Sequence, residues 1–366
     1  MKEIGIGMVG YAFMGRVHSQ AWRNVSAFFD LPLTPAMRAI CGRDVEATGA
    51  AAQRLGWASA ETDWRRLIER DDIDVIDICA PGDLHAEVAI AALAAGKHVL
   101  CEKPLANTVE EAEAMAAAAA KSTAKSMVAF NYRRVPAVAL ARAVIAEGRL
   151  GQIRHVRAQY LQDWIVDPDF PLVWRLQKDK AGSGALGDIG AHIIDTAQFL
   201  IGQDVVGVTG LTETFIKERP RPDGQAMEPV TVDDAALFVG RFEGGALGSF
   251  EATRMATGRK NSLRIEVNGS QGSLYFDFEA MNELWCTAER GGFERVLVTE
   301  PHHPYVGAWW PPGHGLGYEH TFVHEVKDFL EAIATGADPQ PSFEDGLRVQ
   351  RVLAAVEQSH GHYVGI

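Results

Sequence analysis

Two short stretches of this chain carry ionisable side chains in patterns suited to proton transfer. The first is Glu102-Lys103-Pro104, which follows the apolar run 98–101. Open α/β sheets bind ligands at the carboxyl ends of their strands, and a lysine at the end of a buried strand is costly unless it has a task there. A lysine that reaches from the strand end into water explains the same pattern. Lys103 is therefore a candidate cation for binding or catalysis.

The second stretch is a helix predicted over residues 187–201, which carries Asp188, His192 and Asp195. Spacings of four and three residues place these side chains on one face of a helix. Histidine titrates near neutral pH, and a neighbouring carboxylate orients it and stabilises its charge, which suits general acid–base catalysis. The same spacing also fits a first-turn acid favoured by the helix dipole, a core histidine and a solvated Asp195. Spacing alone leaves both interpretations open.

A glycine-rich turn near the N-terminus indicates which kind of ligand could bind next to these ionisable groups. An apolar strand, residues 4–9, runs into a G-x-A-x-x-G turn and then into a helix. The first glycine permits a tight turn, the small second residue lets the backbone approach a pyrophosphate, and the last glycine lets helix and strand pack closely. Amides at the start of the helix favour an anion. We therefore expect dinucleotide binding, rather than an ordinary βαβ turn, at Gly10, Ala12, Phe13, Met14 and Gly15.

The tip of the second predicted strand bears on the choice of dinucleotide. An acid there would bind the ribose 2′-hydroxyl of NAD, and a basic group would accept the 2′-phosphate of NADP. The tip reads Gly42-Arg43-Asp44. Arg43 can pair with a phosphate or stack on adenine, whereas Asp44 can equally be the N-cap of a helix over 45–55. The residues tolerate NADP and do not exclude NAD, so both cofactors stay open.

Strands and helices alternate through the first part of the chain. A strand over 74–80 is followed by Pro81 to His85, by a helix that ends at Gly96, and by the strand before Lys103. This alternation with short loops predicts a parallel sheet covered by helices, that is, an N-terminal Rossmann dinucleotide-binding domain over residues 1–125. Further cofactor contacts are expected where its later strands end, at Ala80, Pro81, Leu84, His85, Glu102 and Lys103.

Beyond residue 125 the hydrophobic period becomes that of strands joined by glycine-containing turns. Strands are predicted over 153–164, 205–216, 235–242, 246–253, 263–267 and 273–278, with 218–228 as a surface loop. We expect residues 126–366 to form an α+β domain for substrate binding and oligomerisation, built on a large, mainly antiparallel open sheet. Two closing helices, 318–334 and 343–360, are expected to pack back on the first domain. The uncovered face of the sheet favours a homo-oligomer, either a dimer or a tetramer.

The composition is that of a globular chain and excludes several classes of partner. Among 366 residues, 48 acidic and 35 basic side chains give a formal net charge of −13, which repels nucleic acid and anionic membranes. The four cysteines lack metal-ligand spacing and predict buried small hydrophobes, so no metal site is expected. No apolar run approaches membrane-spanning length, and the first residues lead straight into a core strand. We therefore expect no signal peptide and a cytoplasmic location.

Three spaced motifs together resemble the Gfo/Idh/MocA family of oxidoreductases. They are the G-x-A-x-x-G turn, the Glu102-Lys103-Pro104 segment that follows Ala80-Pro81 and His85, and residues 188–195, which match the family's D-x-G-x-H-x-x-D helix. Residues 131–134, 160–164 and 174–186 look closest to levoglucosan dehydrogenases and their sugar- or inositol-oxidising relatives, which suggests NAD. Two departures are Gly82-Asp83, where the family often has an asparagine, and Gly42-Arg43, which resembles its NADP-using branches.

The resemblance implies an NAD(P)-dependent dehydrogenase that oxidises a secondary hydroxyl of a pyranose, an anhydrosugar or a cyclitol to a ketone. The cofactor accepts the hydride, and the protein supplies orientation and proton handling. His192 would be the base, Lys103 would steady the developing alkoxide, and Asp188 would bind the substrate and orient the histidine. Lys103 and His192 could also share or exchange these roles. Pro104 resembles the family's cis-proline, which would turn Lys103 toward the nicotinamide.

A sugar site requires aromatic platforms for C–H faces and converging polar groups. The substrate contacts that we expect are Lys103, Tyr132, Gln162, Trp164, Arg175, Asp188, His192 and Tyr318, with residues 309–320 as a candidate lid. Two alternatives differ in outcome: an NAD-dependent glycoside hydrolase that oxidises its substrate only transiently, and a non-catalytic sugar- or cofactor-sensing relative. Reduction of a keto-sugar is the same reaction in reverse.

Overall fold

The chain folds into two compact units. The computed structural model describes residues 2–287 and 291–366. The first unit comprises the residues up to Arg134 together with Gly317–Leu347, and the second comprises Val135–Leu316 and Arg348–Ile366. The division of labour expected for residues 1–125 and 126–366 stays a prediction. Within the described ranges, no helix has both the length and the apolar character needed to cross a membrane.

A six-stranded parallel sheet forms the centre of the first unit. Its strands are β1 Lys2–Val9, β2 Leu33–Cys41, β3 Ser59–Glu61, β4 Val75–Ile78, β5 His98–Cys101 and β6 Ser126–Val128. They lie in the order β3-β2-β1-β4-β5-β6. This is the doubly wound Rossmann order, in which successive strands are added on one side of β1 and then, from β4, on the other, and a ligand crevice opens at the carboxyl ends of β1 and β4. The predicted α/β fold of this part is confirmed.

The helices of the first unit begin and end at residues that the sequence marks. They are α1 Phe13–Phe28, α2 Val45–Leu55, α3 Trp64–Glu69, α4 His85–Ala94 and α5 Val109–Lys121. The Asp44 carboxylate accepts a hydrogen bond from the Ala47 amide, and Thr108 with Glu111 forms a reciprocal capping box on α5. All four residues of β4 are buried, as a strand covered by helices on both faces requires. Cys41, Cys79 and Cys101 are buried in this core, as predicted, whereas Cys286 in the second unit is half-buried, so the prediction of a buried residue is wrong there.

A nine-stranded sheet forms the second unit. Its elements in chain order are α6 Pro136–Ala146, β7 Ile153–Leu161, α7 Lys178–Ala181, α8 Ala191–Ile201, β8 Val205–Glu213, β9 Glu218–Pro220, β10 Met227–Pro229, β11 Ala235–Phe242, β12 Leu247–Thr253, β13 Ser262–Gly269, β14 Ser273–Asp277, β15 Glu283–Cys286 and β16 Glu294–Leu297. The chain closes with α9 Tyr318–Thr335 in the first unit, with α10 Phe343–Ser359 and with β17 Val364–Gly365. Helix α10 is divided between the units after Leu347.

The large sheet has the order β16-β15-β14-β13-β7-β12-β11-β8-β17. Its pairs are antiparallel except β12 with β7, which run parallel, so the predicted open and mainly antiparallel sheet is confirmed. Side chains alternate between its faces, and helices α6 and α8 contact one of them. There Phe238 and Phe250 stack with ring centroids 4.6 Å apart. On the other face Leu237 and Val239 are exposed to 53% and 56%.

The predicted surface loop over 218–228 is wrong at both ends. Strands β9 and β10 pair there as an antiparallel hairpin, separate from the large sheet. Prolines are rare inside strands, but Pro220 ends β9 and Pro229, just beyond the predicted loop, ends β10, so neither interrupts the ladder. Arg219 is fully buried and donates hydrogen bonds to the carbonyl groups of Ile165, Asp167 and Phe170. The hairpin is therefore part of the packed structure.

Two glycine substitutions test the turn between β1 and α1. Gly10 has φ +103°, and a Cβ there would lie 2.7 Å from the carbonyl oxygen of Cys79. We expect Gly10→Ala to lower the free energy of unfolding by roughly 1–3 kcal/mol and to weaken dinucleotide binding. The matched control is Gly49, an exposed glycine inside α2 with open space around its Cα. Gly49→Ala should raise stability by about 0.5–1 kcal/mol. Denaturant unfolding of both variants checks this, and equal effects would contradict it.

Candidate active site

The turn after β1 is built to receive an anion. Gly10 donates its amide to the carbonyl of Cys41 at 2.9 Å, and a Cβ on Gly15 would lie 2.2 Å from the carbonyl oxygen of Gly10, so the chain turns as tightly as the motif predicts. Helix α1 begins after Ala12, which offers no side-chain cap, and its first turn holds no acid. Amides at such a helix end favour a phosphate. These residues fit a dinucleotide pyrophosphate.

The tip of β2 presents a basic rather than an acidic side chain. Asp44 caps α2, so its carboxylate is already engaged, as one of the two sequence interpretations expected. Arg43 is exposed beside it. The ring of Tyr11 lies against Gly42, where a Cβ would approach it to 2.1 Å. The tip therefore offers a guanidinium group to whatever occupies this edge of the sheet.

The tips of β4 and β5 are joined by one imidazole. The His85 ring lies with Nε2 3.0 Å from the carbonyl oxygen of Ala80 and Nδ1 3.1 Å from that of Pro104. Between these tips, the Asn107 side chain closes on Gly82, which has no room for a Cβ. His85 thus positions two predicted cofactor segments relative to each other. Pro81 and Leu84 lie in the same loop, half-buried.

Lys103 directly follows a buried carboxylate at the end of β5. Glu102 is 4% exposed, and its Oε2 accepts a hydrogen bond from the Lys103 amide at 3.1 Å. The Lys103–Pro104 peptide bond is cis, as the resemblance implied. Lys103 itself is half-buried. The main chain that carries the Lys103 side chain is therefore held in place by the Glu102 carboxylate.

Three residues predicted to contact cofactor or substrate meet as an aromatic group in the first unit. The ring of Tyr318, at the start of α9, stacks on Phe13 with centroids 6.5 Å apart and meets Tyr132 edge-on at 6.5 Å. Phe322 lies 5.0 Å from the same ring. Burial, and then the neighbouring Tyr132 and Glu102, raise the pKa of the Tyr318 hydroxyl, so it remains a hydrogen-bond donor.

The predicted helix over 187–201 starts as a different helix. Residues Leu186–Gly190 form a π-helical turn, and α8 follows from Ala191. The i, i+4 geometry assumed for Asp188 and His192 is therefore that of a π–α junction, a feature that occurs frequently at functional sites. The hydrophobic pattern of the sequence did not distinguish this turn from an α-helix, because two of its residues are glycines without side chains. Asp188 is half-buried within the π turn.

A distant aspartate fixes the entry to this turn. Asp233 accepts the amides of Gly184 at 2.7 Å and Leu186 at 2.8 Å on its two carboxylate oxygens, and its carbonyl accepts that of Ala185. A Cβ on Gly184 would lie 1.7 Å from the Asp233 carbonyl oxygen, so only glycine fits. Backbone donors at the start of a helix are thus satisfied from outside the helix. The positions of Asp188 and His192 depend on this contact.

The three ionisable residues of the stretch differ in environment. Asp188 lies with Oδ2 3.5 Å from the guanidinium of Arg254, which is fully buried. His192 is 6% exposed, and its ring lies 5.9 Å from that of Tyr160. Asp195 is 1% exposed, so the interpretation of a solvated Asp195 is wrong. An apolar stretch of helix buries it along with its neighbours.

Polar and aromatic side chains connect Asp188 to His192 through the second unit. The Arg254 guanidinium lies 5.3 Å above the Trp164 ring, and Trp164 donates to Gln162 at 3.0 Å. Gln162 and Tyr160 both donate to Asn261, at 2.8 and 2.6 Å, and Tyr160 contacts His192. We call this set, Arg254, Trp164, Gln162, Asn261 and Tyr160, the polar wall. It brings together two predicted substrate residues, Gln162 and Trp164, with the predicted catalytic residues Asp188 and His192.

Arg175 stands beside the polar wall. Its guanidinium lies 4.4 Å over the Trp174 ring, and its carbonyl lies 3.5 Å from Arg254. Sequence reasoning missed Tyr160, Asn261, Arg254 and Asp233. Arg254 follows β12 as Lys103 follows β5, and Asp233 opens an acidic pair just before β11, so both carried a strand-end signal. Lys103 belongs to the first unit and His192 to the second. Their convergence on one substrate stays a prediction.

Comparisons with known proteins define the class of this chain. Residues 4–130 match the family model described as "Oxidoreductase family, NAD-binding Rossmann fold", and residues 138–275 match the "GFO/IDH/MocA C-terminal domain". The chain is 44% identical to levoglucosan dehydrogenase of Pseudarthrobacter phenanthrenivorans over 378 aligned positions, which cover 98% of this chain and 96% of that protein. This protein belongs to the Gfo/Idh/MocA family of oxidoreductases, and the predicted resemblance is confirmed.

Solved structures agree with this assignment. An oxidoreductase domain protein from Kribbella flavida is 64% identical, with a TM-score of 0.98 over 100% of both chains. Levoglucosan dehydrogenase in complex with NADH and levoglucosan is 44% identical, with a TM-score of 0.97 over 100% of this chain and 99% of that one. The family places this chain among enzymes and gives it an NAD-binding type of Rossmann fold.

The role of Asp233 can be separated from that of its buried neighbour. Asn at position 233 turns an amide donor toward one of the two amides that the carboxylate accepts, so Asp233→Asn should lower stability by about 1–3 kcal/mol and also lower turnover. Asp234, fully buried, accepts the amides of Phe215 and Ile216 instead. Asp234→Asn should destabilise to a similar degree and leave turnover intact. Thermal unfolding and kcat of both variants check this, and equal losses of kcat would refute a specific role for Asp233.

Proposed function

We propose that this protein is an NAD(P)-dependent dehydrogenase that oxidises a secondary hydroxyl of a pyranose, an anhydrosugar such as levoglucosan, or a cyclitol to a ketone. The observation that carries the proposal is the acid–base pair Asp188 and His192, set at a π–α junction and joined by the polar wall. Relatives named levoglucosan dehydrogenase and inositol 2-dehydrogenase, 44% and 28% identical, support the same substrate class.

The polar wall favours a neutral polyol. Trp164 offers a flat apolar face, and the amides of Gln162 and Asn261 offer donors and acceptors of the kind that sugar hydroxyls use. Its one cation, Arg254, is fully buried and engaged by the Asp188 carboxylate and two carbonyls. A phosphate group on the substrate would need a cation that is not already engaged. We therefore infer that no phosphate group of the substrate lies against the polar wall.

The residues divide the chemistry as follows. His192 accepts the proton of the substrate hydroxyl, and Lys103 donates a hydrogen bond to the oxygen as it becomes an alkoxide; the alternative, in which the two residues share or exchange these roles, requires a neutral lysine. Asp188 accepts a hydrogen bond from the substrate and orients the imidazole. The nicotinamide, when bound, supplies the hydride acceptor. The C–H hydride and the O–H proton leave the same carbinol, so the product is a ketone and a reduced cofactor.

We infer that NAD is the preferred cofactor and that Arg43 leaves some use of NADP. A 44%-identical levoglucosan dehydrogenase was solved with NADH. Arg43 is exposed at the tip of β2, and its guanidinium can pair with a 2′-phosphate. The expected contacts of Ala12, Met14, Ala80, Pro81 and Leu84 belong to this same proposal. The cytoplasmic location likewise stays a prediction.

The decisive experiment screens NAD⁺ and NADP⁺ against pyranoses, anhydrosugars and inositols and follows reduced nicotinamide by its absorbance. We expect turnover with at least one neutral polyol. Lys103→Met and His192→Asn should each lower kcat by about 10²–10⁴-fold while NADH still binds, because they remove proton handling rather than cofactor contacts. Fluorescence titration of NADH measures that binding.

Three outcomes of this screen would contradict the proposal. Wild-type activity in both variants would remove Lys103 and His192 from the chemistry. A reducing sugar released without net cofactor reduction would favour the glycoside hydrolase. Binding of sugar and dinucleotide without any turnover in the wild-type protein would favour a sensing relative. Analysis of the products thus distinguishes the glycoside hydrolase and the sensing protein from the proposed dehydrogenase.

We also propose that a second copy of this chain covers the open face of the large sheet. Leu211, Leu237 and Val239 are more than half exposed there and lie side by side on β8 and β11. The adjoining part of the face carries Arg157 on β7 beside Glu266 on β13. An apolar patch next to charges of both signs is self-complementary under a twofold axis.

A charge placed in the apolar patch tests this interface. Leu237→Glu should shift the protein toward monomer, because two carboxylates would be buried at a twofold interface. Met227→Glu is the control, since Met227 is also more than half exposed but lies on β10 in the separate hairpin. Sedimentation velocity of both variants beside the wild type measures the change. A monomeric wild-type protein, or identical assembly of the Leu237→Glu variant, would refute the proposal.

A further inference from the structure

The first unit buries an imidazole between two carboxylates. Nδ1 of His18, on α1, lies 3.0 Å from both carboxylate oxygens of Asp77, and its Nε2 lies 2.9 Å from Oε1 of Glu102. His18 is 1% exposed, Asp77 is 0% and Glu102 is 4%. Among the residues described, this is a titratable cluster that the proposed chemistry does not use.

The contacts favour a doubly protonated ring. Each ring nitrogen faces a carboxylate, and only the imidazolium has a proton to donate from both. Burial by itself lowers the pKa of an imidazole, but the charge of Asp77 and its hydrogen bond outweigh that effect and raise the pKa of His18 well above its ordinary value. Two carboxylates without this cation would be buried charges with little compensation.

The cluster ends at the main chain of Lys103. Asp77 on β4 also accepts the indole N–H of Trp22 at 2.7 Å, which fixes it from the side of α1. Glu102 uses Oε1 for His18 and Oε2 for the Lys103 amide. One side chain from the first helix therefore holds the tips of two strands and, through Glu102, the residue that follows β5.

A metal site is the competing interpretation. Ligand atoms of His18, Asp77 and Cys79 lie within 4.8 Å of one another. Both nitrogens of His18 are already engaged by carboxylates, and burial raises the pKa of the Cys79 thiol, which disfavours the thiolate that a metal binds. Hydrogen bonding accounts for the whole arrangement without an ion.

We propose that His18 is a positioning residue for the reaction: bonded to both Asp77 and Glu102, it fixes the Glu102 carboxylate and through it the main chain and direction of Lys103. The proposal rests on the proposed function, in which Lys103 contacts the reacting oxygen. It follows that loss of His18 lowers turnover while the dinucleotide turn, which lies earlier on α1, still binds its ligand.

Two single variants test the link. His18→Gln should lower kcat about 10–100-fold, the cost of a small misplacement near the chemistry, with the NADH dissociation constant nearly unchanged. Glu102→Gln keeps the His18–Asp77 pair and the buried charge balanced, so it should fold even where His18→Gln does not. It turns an amide donor toward the Lys103 N–H and should therefore lower kcat as well. The double variant should be less impaired than the product of the two singles predicts, because both break the same chain of contacts.

His324→Gln is the matched control. His324 is also fully buried in the first unit, with Nδ1 3.0 Å from the carbonyl oxygen of Arg134, and burial lowers its pKa to about 3, so it is a neutral core histidine. Its replacement should lower stability and leave kcat unchanged. If His18→Gln behaves in the same way, or loses NADH binding as strongly as turnover, the positioning role is refuted.

A readout without catalysis separates this proposal from the proposed function. Hydrogen–deuterium exchange of a peptide that spans Lys103 should be faster in His18→Gln than in the wild type and unaltered in His324→Gln, because the Lys103 amide loses a fixed acceptor. A wild-type protein that turns over no polyol would refute the function and leave this test standing. Unchanged exchange in His18→Gln would refute the positioning role even in an active dehydrogenase.

Discussion

The balance of buried charge is the constraint on which the rest of this structure depends. In the first unit an imidazole stands between Asp77 and Glu102, and in the second a guanidinium, Arg254, stands beside Asp188. Each of these groups is costly to remove from water and tolerable only in the right geometry with its partner. The cost of desolvation makes such pairs weak contributors to stability, and it also means that a small displacement of either partner is unfavourable. A site that must hold reacting groups to fractions of an ångström gains from this strictness.

Strand order explains why so few contacts are needed to assemble the nucleotide end. In the order β3-β2-β1-β4-β5-β6, the turn at Gly10, the loop at Ala80 and the segment at Lys103 follow three adjacent strands and emerge at one edge of the sheet. The backbone ladder already fixes the spacing between these tips. His85 and His18 then need only to lock segments that are neighbours, one through carbonyl groups and one through carboxylates.

Local patterns sufficed to predict the parts of this fold that are governed locally. The glycine turn, the Asp44 cap and the alternating strands of the large sheet each leave a mark within a few residues, whereas the cis bond before Pro104 was expected only from the family resemblance. Asp233 and Arg254 carry a local mark only of their position at strand ends; their partners Gly184 and Asp188 are far away in sequence, so the contacts themselves could not be predicted. The π turn and the β9–β10 hairpin were missed for a related reason: tertiary contacts overrode what glycine and proline favour locally.

In the proposed mechanism, the polar wall would let Asp188 and His192 act on different polyols. Asp188 lies beside the fully buried Arg254, and Asp233 holds the amides that lead into the π turn, whereas Trp164 and Gln162 are half-buried and bond to each other. In that mechanism Asp188 and His192 transfer the proton, and Trp164 and Gln162 determine which substrate hydroxyl lies next to them. Exchange of Trp164 or Gln162 would then alter the preferred polyol with the proton-transfer residues still in place. Exchange of Arg254 would alter both the preferred polyol and proton transfer, because Arg254 belongs to the polar wall and also contacts Asp188.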